Sequence, residues 1–369
     1  MTRLLTMRPV ASPRADDNSA FVRRRMALRF FAGFAAGFIA LGAAAYWLME
    51  TFELRFCQPF HNEILFHKVE YLRKAVRDPE IVYLGNSQMA YGVMPAVVSN
   101  ELSRSGAGSG EGYNLAVPGT GLETCWLLAR DVLTGHRRPK TLVLGVCPFM
   151  LAVEHTERDC QYWRYGTLKD VVEYIEADPA CPPSTLATGV FRGLSNLVEF
   201  SLSRSRKPSL ETRPEHLRQG QGGYWLPEQA ATNHIVPKAT WQLILRKTSP
   251  ARFTFRDDGR QALVLRRFRD LAREHGMTLV LVYPPQHPAF CGRLYAGDGE
   301  TRFDAWITSL CQREGICYHD LRDPARYVHE DFEDPVHLNA RGAARFSRDL
   351  AAVLRTAYPS VRETAHVVP

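Results

Sequence analysis

The sequence predicts an α/β protein with about five parallel strands, preceded by one N-terminal transmembrane helix and interrupted by a middle insertion. Three observations indicate this fold class. A long uncharged run lies near the N-terminus, short apolar runs alternate with amphipathic helices in two later blocks, and the stretch at about residues 152–258 breaks that alternation. Unbroken apolar strands between such helices are typical of a parallel sheet that is covered on both faces.

The uncharged run extends from Phe30 to Met49 and predicts a membrane anchor. At about 1.5 Å per residue its 20 residues span roughly 30 Å, which matches the hydrocarbon core of a bilayer. Tyr46 and Trp47 suit the far interface, where amphipathic rings settle. A cleaved signal peptide is the alternative, with the three alanines at 43–45 as its exit site. Two bulky aromatic residues directly after that site argue against cleavage.

Positive charge is concentrated ahead of this run. The 369-residue chain has a net charge of +7, of which residues 1–29 contribute +5 through seven Arg and two Asp, so the other 340 residues carry only +2. The positive-inside rule therefore places residues 1–29 in the cytoplasm as a basic tail, 30–49 in the membrane and 50–369 outside. In a bacterium with two membranes, that outside space is the periplasm, next to the inner membrane. No nucleic-acid partner is predicted, because the external part lacks a basic face.

Within the external part, the alternation predicts a flavodoxin-like three-layer sandwich. The predicted strands are 81–84, 113–117, 141–146, 278–283 and 316–321. The predicted helices are 62–76, 122–133, one that carries Val264, Phe268 and Leu271, 303–311, and a last one that carries Phe346, Leu350 and Val353. The middle insertion, rich in Arg, Ser, Pro and Gly, is interpreted as a cap over the sheet edge.

The sequence predicts neither a metal nor a cofactor. The eight Cys include no CxxC pair, and no HExxH motif occurs. The glycine-rich stretch 106–112 precedes a strand instead of joining a strand to a helix, so we interpret it as a surface loop and not as a dinucleotide site. Cys160 with Cys181 and Cys311 with Cys317 are candidate disulfides, which sequence alone does not assign.

A candidate nucleophile follows the first strand. Functional residues of open parallel sheets gather at the carboxyl ends of the strands, and the first such end carries Gly85, Asn86 and Ser87. Gly85 permits a tight turn, so Ser87 projects just before the next helix, where backbone N–H groups form an anion site. A Ser that only caps the helix is the alternative.

A candidate base follows the last strand. Asp334 and His337 form the only Asp-x-x-His in the chain. The three-residue spacing lets the carboxylate reach Nδ1 of the imidazole, which leaves Nε2 free to take a proton from a serine hydroxyl. An Asp–His pair that only caps the final helix is the alternative. Because the two motifs follow the first and last strands, we interpret Ser87, Asp334 and His337 as a catalytic triad.

The two motifs also carry a resemblance to a known superfamily. Gly-Asn-Ser-Gln at 85–88 and Asp-Pro-Val-His at 334–337 resemble the first and last signature blocks of the SGNH (GDSL-type) hydrolases. The resemblance covers roughly residues 79–150 and 260–357. It is nearest to membrane-anchored envelope members that handle acyl groups during alginate acetylation or teichoic-acid D-alanylation.

The resemblance implies a role for each matching residue. Ser87 is the nucleophile, His337 the base and Asp334 the partner of that base. The backbone N–H groups of Gly119 and Ser87 form the oxyanion hole. The resemblance also suggests a membrane-embedded acyl donor protein as a partner.

The chain departs from the family pattern at two places. Asn86 stands where the hydrolases usually have Asp. The Gly-x-Asn-Asp block expected after the third strand is absent, because residues 144–149 read Leu-Gly-Val-Cys-Pro-Phe. One oxyanion donor is therefore missing or comes from elsewhere, and loss of such a donor typically costs roughly 10²–10³ in rate.

Together these observations favour a membrane-anchored periplasmic serine acyl esterase or acyltransferase. It acts on an envelope polysaccharide or lipid-linked glycan through an acyl-serine intermediate. A lipid esterase is the alternative within the enzymes. A non-catalytic SGNH-fold scaffold or glycan-binding protein is the alternative outside them, and the missing third block motivates it.

Overall fold

The computed structural model describes the N-terminal helix and most of residues 50–369. The described residues are 16–51, 63–74, 78–106, 110–133, 139–152, 165–177, 191, 194–195, 198, 233–295 and 297–357. Cys160, Cys181 and most of the predicted middle insertion lie outside these ranges, and so does most of the predicted basic tail.

The described elements alternate between helix and strand, as the sequence predicts. The first half contains α1 (Asp16–Thr51), α2 (Glu63–Lys74), β1 (Ile81–Leu84), α3 (Ser87–Gly92), α4 (Pro95–Arg104), β2 (Gly112–Asn114), α5 (Leu122–Leu133), β3 (Thr141–Gly145) and α6 (Pro148–Leu151). The second half contains α7 (Leu168–Ala177), α8 (Lys238–Lys247), α9 (Arg260–Glu274), β4 (Thr278–Tyr283), α10 (Pro288–Leu294), α11 (Gly299–Glu314), β5 (Cys317–Asp320) and α12 (Ala340–Ala357).

Helix α1 contains the predicted anchor and is long and apolar enough to cross a membrane, over the stretch Arg24–Leu48. Its large apolar side chains Phe30, Phe31 and Phe34 are exposed, which a core helix of a water-soluble domain would avoid. Tyr46, near the end of the helix, is buried and belongs to the main core cluster.

The five strands form one parallel sheet in the order β2-β1-β3-β4-β5. The chain therefore builds outward from β1 to the edge strand β2, crosses back over β1, and continues through β3 to β5. In such doubly wound sheets, ligands bind outside the carboxyl ends of the strands where the winding direction reverses, which here is between β1 and β3.

Alternate side chains of the strands enter two apolar layers, one on each face of the sheet. Val82 and Leu84 face the layer formed with α2, α5, α9 and α11. Ile81 and Tyr83 face the other layer, formed with α3, α4 and α12. Because both faces are covered, β1 and β3 are buried along their whole length, and the predicted three-layer α/β sandwich is confirmed.

Several predicted bounds differ from the observed ones. The second predicted strand, 113–117, ends at Asn114, although the amides of Leu115 and Val117 still donate to the carbonyls of Tyr83 and Gly85 at 2.9 and 3.0 Å. The short helices α4, α6 and α10 had no predicted counterpart, since helices of 4–10 residues give little periodic signal. Cys311 and Cys317 are both free thiols, so that candidate disulfide is absent.

Candidate active site

The turn between β1 and α3 presents Ser87 at the carboxyl edge of the sheet. Gly85 has φ +145°, and a Cβ there would lie 2.5 Å from Cγ of Met89, so a side chain is excluded. The Asn86 side chain caps the helix, because its Oδ1 accepts a hydrogen bond from the amide of Gln88 at 3.0 Å. Asn86 thus takes the capping role that sequence analysis left open for Ser87, whose hydroxyl is turned elsewhere.

The structure brings the three predicted triad side chains together. Oγ of Ser87 lies 2.9 Å from Nε2 of His337, although the two residues are 250 positions apart. Nδ1 of the same imidazole lies 2.9 Å from Oδ2 of Asp334. Both side chains of the Asp–His pair are partly buried, with exposures of 18% and 23%. The geometry forms a continuous hydrogen-bonded chain from carboxylate to hydroxyl.

Asp334 is held as a carboxylate. Burial alone would raise its pKa, but the hydrogen bond from His337 and two backbone amides together hold the pKa below its usual range. Those amides, of Val336 and His337, donate to Oδ1 at 2.7 and 2.8 Å. An ionised carboxylate at Oδ2 keeps the imidazole proton on Nδ1, so Nε2 presents its lone pair to the hydroxyl of Ser87.

The loop that carries this pair is anchored by Asp331, a residue that sequence analysis missed. Its fully buried carboxylate forms ion pairs with Arg341 and Arg345 of α12, both at 2.9 Å. The amide of Glu333 also donates to the carbonyl of His337 at 2.9 Å, which closes the loop on itself. The ring of Tyr91 packs edge to face against the imidazole, with centroids 5.0 Å apart. These contacts fix the ring orientation.

Asn114, at the end of β2, holds the helix that begins with Ser87. Its buried Nδ2 donates to the carbonyls of Met89 and Val93 at 3.0 and 2.9 Å, near the end of α3. Its Oδ1 accepts from the amide of Ala116 at 3.1 Å. One side chain therefore ties the serine helix to the loop after β2.

That loop contains Gly119, the predicted oxyanion-hole residue. Gly119 has φ +74°, a left-handed conformation that favours glycine, and it lines the same cavity as Ser87. Among the described residues, neither its amide nor that of Ser87 donates to a protein acceptor. The loop is supported from α2, because the buried Lys68 donates from Nζ to the carbonyl of Ala116 at 2.6 Å. Burial lowers the pKa of this lysine to about 7.

Cys147 follows β3, in the stretch where the Gly-x-Asn-Asp block of the SGNH pattern would place an Asn side chain. Asn86 Nδ2 donates a weak contact to its sulfur at 3.8 Å. Burial raises the pKa of the thiol to about 11, so it stays neutral. Cys147 supplies no third amide donor to the oxyanion site.

A cavity of about 610 Å³ opens beside these groups. Its wall is mainly apolar, and the side chains that line it include Phe149, Met150, Phe290 and Leu294. Its polar wall includes Ser87, Gly119, Thr120, Glu123 and Gln286. The described residues contain no cluster of three or more His, Cys, Asp or Glu that would hold a metal ion. The arrangement is thus able to bind an ester of substantial size against the hydroxyl of Ser87.

Comparisons with known proteins identify no family. The chain matches no protein-family model and no curated protein. A solved structure from Bacteroides fragilis NCTC 9343, described as a candidate acylhydrolase, is 9% identical with a TM-score of 0.37 and covers 78% of this chain and 94% of that chain. A GDSL-like lipase from Bacteroides thetaiotaomicron VPI-5482 is 8% identical with a TM-score of 0.37 and covers 80% of this chain and 98% of that chain. Likeness this weak carries no argument about function, so the interpretation depends on the geometry described above.

Proposed function

We propose that this protein is a membrane-anchored serine acyl esterase or acyltransferase that acts on an envelope glycan or glycolipid. The observation that carries the proposal is the chain Asp334–His337–Ser87, with 2.9 Å at both links. A serine that only caps a helix would need neither the imidazole of His337 nor the carboxylate of Asp334 behind it. The same chain argues against a scaffold without turnover.

The first half of the proposed reaction forms an acyl-serine. Oγ of Ser87 attacks the ester carbonyl carbon while Nε2 of His337 accepts the hydroxyl proton. The amides of Ser87 and Gly119 hold the oxyanion, and the carboxylate of Asp334 stabilises the imidazolium. The carbon–oxygen bond to the alcohol then breaks, and His337 returns its proton to the departing alkoxide.

The second half releases the acyl group. Water or a sugar hydroxyl attacks the acyl-serine carbonyl and gives its proton to His337. Collapse of the tetrahedral intermediate breaks the bond to Oγ, which recovers the proton from the imidazole. Water yields hydrolysis, and a sugar hydroxyl yields transfer. In the transfer direction, a membrane-embedded acyl donor protein is the partner we propose.

The proposed location of the domain favours envelope substrates over soluble ones. An anchor over residues 30–49, with a cytoplasmic tail, keeps the domain at the periplasmic face of the inner membrane, where glycans and lipid-linked glycans are exported. The apolar cavity wall formed by Phe149 and Phe290 supports a lipid esterase as the second candidate.

A fluorophosphonate probe tests the mechanism. We expect the wild type to be labelled covalently, Ser87→Ala to be unlabelled, and Ser309→Ala, which removes an exposed serine on α11, to be labelled as the wild type is. Equal labelling of wild type and Ser87→Ala would remove Ser87 from the mechanism. In cells that lack the gene, a change in glycan O-acyl esters supports the glycan substrate, with a decrease expected for a transferase and an increase for an esterase. Changed lipid esters with unchanged glycan esters support the lipid esterase.

A further inference from the structure

Gln286 follows β4 at the carboxyl edge of the sheet and has a role that the triad does not explain. It is 5% exposed and lines the cavity that Ser87 also lines. Its Oε1 accepts three hydrogen bonds, from the hydroxyls of Tyr283 and Tyr295 at 3.3 and 3.1 Å and from the thiol of Cys291 at 3.3 Å.

The three donors orient the amide of Gln286. Burial raises the pKa of Cys291 to about 12 and the pKa values of both tyrosines well above their usual value, so all three groups keep their protons. A thiol is a poor hydrogen-bond acceptor, so the amide atom of Gln286 that contacts Cys291 is the oxygen and not the nitrogen. Oε1 is therefore occupied, and Nε2 is the polar atom left to face the cavity.

The Nε2 group has no hydrogen-bond partner among the described residues, although its side chain is almost completely buried. Nε2 therefore faces the cavity, where its hydrogen-bond partner is a ligand oxygen or water. The amide is held rigidly by three side chains. Of these, Cys291 belongs to α10 and Tyr295 is the residue after that helix. A rigid, unpaired donor on a mostly apolar wall is how binding pockets specify the orientation of a ligand.

We propose that Gln286 determines substrate specificity, with Nε2 donating to a substrate oxygen other than that of the reacting carbonyl. The inference rests on the proposed function. The substrate class it indicates is an ester that carries a hydroxyl, ether or carbonyl oxygen, in its acyl chain or in its alcohol. A site built to hydrogen-bond such an oxygen discriminates strongly against the analogue that lacks it, because the buried donor is then left unpaired.

Two matched ester pairs test the proposal on both sides of the scissile bond. p-Nitrophenyl methoxyacetate and p-nitrophenyl butyrate differ in the acyl chain by an ether oxygen in place of a methylene. Tetrahydropyran-2-ylmethyl acetate and cyclohexylmethyl acetate differ in the same way in the alcohol. We expect Gln286→Met to lower kcat/KM by about 10-fold or more for the oxygenated member of one pair, and to change the alkyl member by less than about 3-fold.

Further variants separate binding from structure. Gln286→Glu keeps an oxygen for the three donors but lacks the N–H₂ group, so we expect the same selective loss at about pH 8 together with an unchanged melting temperature. Phe290→Leu, which changes the cavity shape without a polar group, is expected to affect both members of a pair alike.

Each outcome decides between the two proposals. If Gln286→Met loses kcat/KM equally on both members of each pair, or on no ester, the role of Gln286 is overturned. Turnover by the wild type still supports the proposed function in that case. A wild type that hydrolyses none of the esters and takes no fluorophosphonate label overturns the proposed function and this inference with it.

Discussion

Asp334→Asn is the substitution that most directly tests the hydrogen-bonded chain. The amide has nearly the same shape as the carboxylate, and its oxygen still accepts from the amides of Val336 and His337, which lie 2.7 and 2.8 Å from Oδ1. Its NH₂ group then replaces Oδ2 at 2.9 Å from Nδ1 of the imidazole. Because a donor now faces Nδ1, the imidazole proton moves to Nε2, which lies 2.9 Å from Oγ of Ser87.

An imidazole with its proton on Nε2 cannot accept the proton of Ser87. In a Ser–His–Asp triad the same change of tautomer lowers the rate by about 10⁴-fold, or about 5 kcal/mol in activation free energy. We expect a loss of that size in kcat/KM for p-nitrophenyl acetate and in the rate of fluorophosphonate labelling. Raising the pH does not restore activity, since the tautomer and not the charge of the ring is wrong.

Glu333→Gln provides the matched control. It also converts a carboxylate to an amide, one residue away, and leaves the backbone hydrogen bond from residue 333 to His337 in place. We expect its kcat/KM to stay within about 3-fold of wild type, because the hydrogen bonds of the triad do not include its side chain. If Asp334→Asn kept more than a tenth of wild-type activity, or if both variants lost activity equally, the tautomer argument would be refuted.

Three further predictions concern the groups around the triad. Burial lowers the pKa of Lys68 to about 7, so above that pH the unfolded chain binds more protons than the folded one. Lys68→Met should therefore be more stable than wild type at pH 7 and lose about 2 kcal/mol of that advantage by about pH 9, as measured by chemical denaturation. An advantage that does not change with pH would contradict this. A Cβ on Gly145 would lie 2.0 Å from Cγ of Met89, so Gly145→Ala should lower the free energy of unfolding by about 1–3 kcal/mol. In the double variant, Met89→Ala should recover part of that loss. Strictly additive losses would show that the two residues do not compete for space. Asn114→Leu removes the donor to one carbonyl of α3 and to that of Val93, the residue after the helix. We expect it to lower stability by about 1–3 kcal/mol and to slow the labelling of Ser87. Unchanged labelling would exclude a positioning role.

The sequence alone determined which segments form the centre of the sheet, because β1, β3 and β4 are buried on both faces and therefore show as apolar runs. The strands at 81–84 and 278–283 were predicted with their observed bounds. Asp334 and His337 were also accessible to sequence analysis, since their contact is made within one turn of chain. The helices α6 and α10 were not, because elements of four or seven residues leave too short a periodic pattern.

Only the tertiary structure decided which residues surround the serine. The strand order β2-β1-β3-β4-β5 brings together Ser87 and His337, 250 positions apart, and no local pattern records such a contact. The same holds for Gln286, whose amide is oriented by side chains from β4 and from the end of α10. Burial and periodicity act over a few neighbouring residues and can be read along the chain. Hydrogen bonds between distant residues depend on how the layers pack, and a single Gln or Asn carries no sign of them.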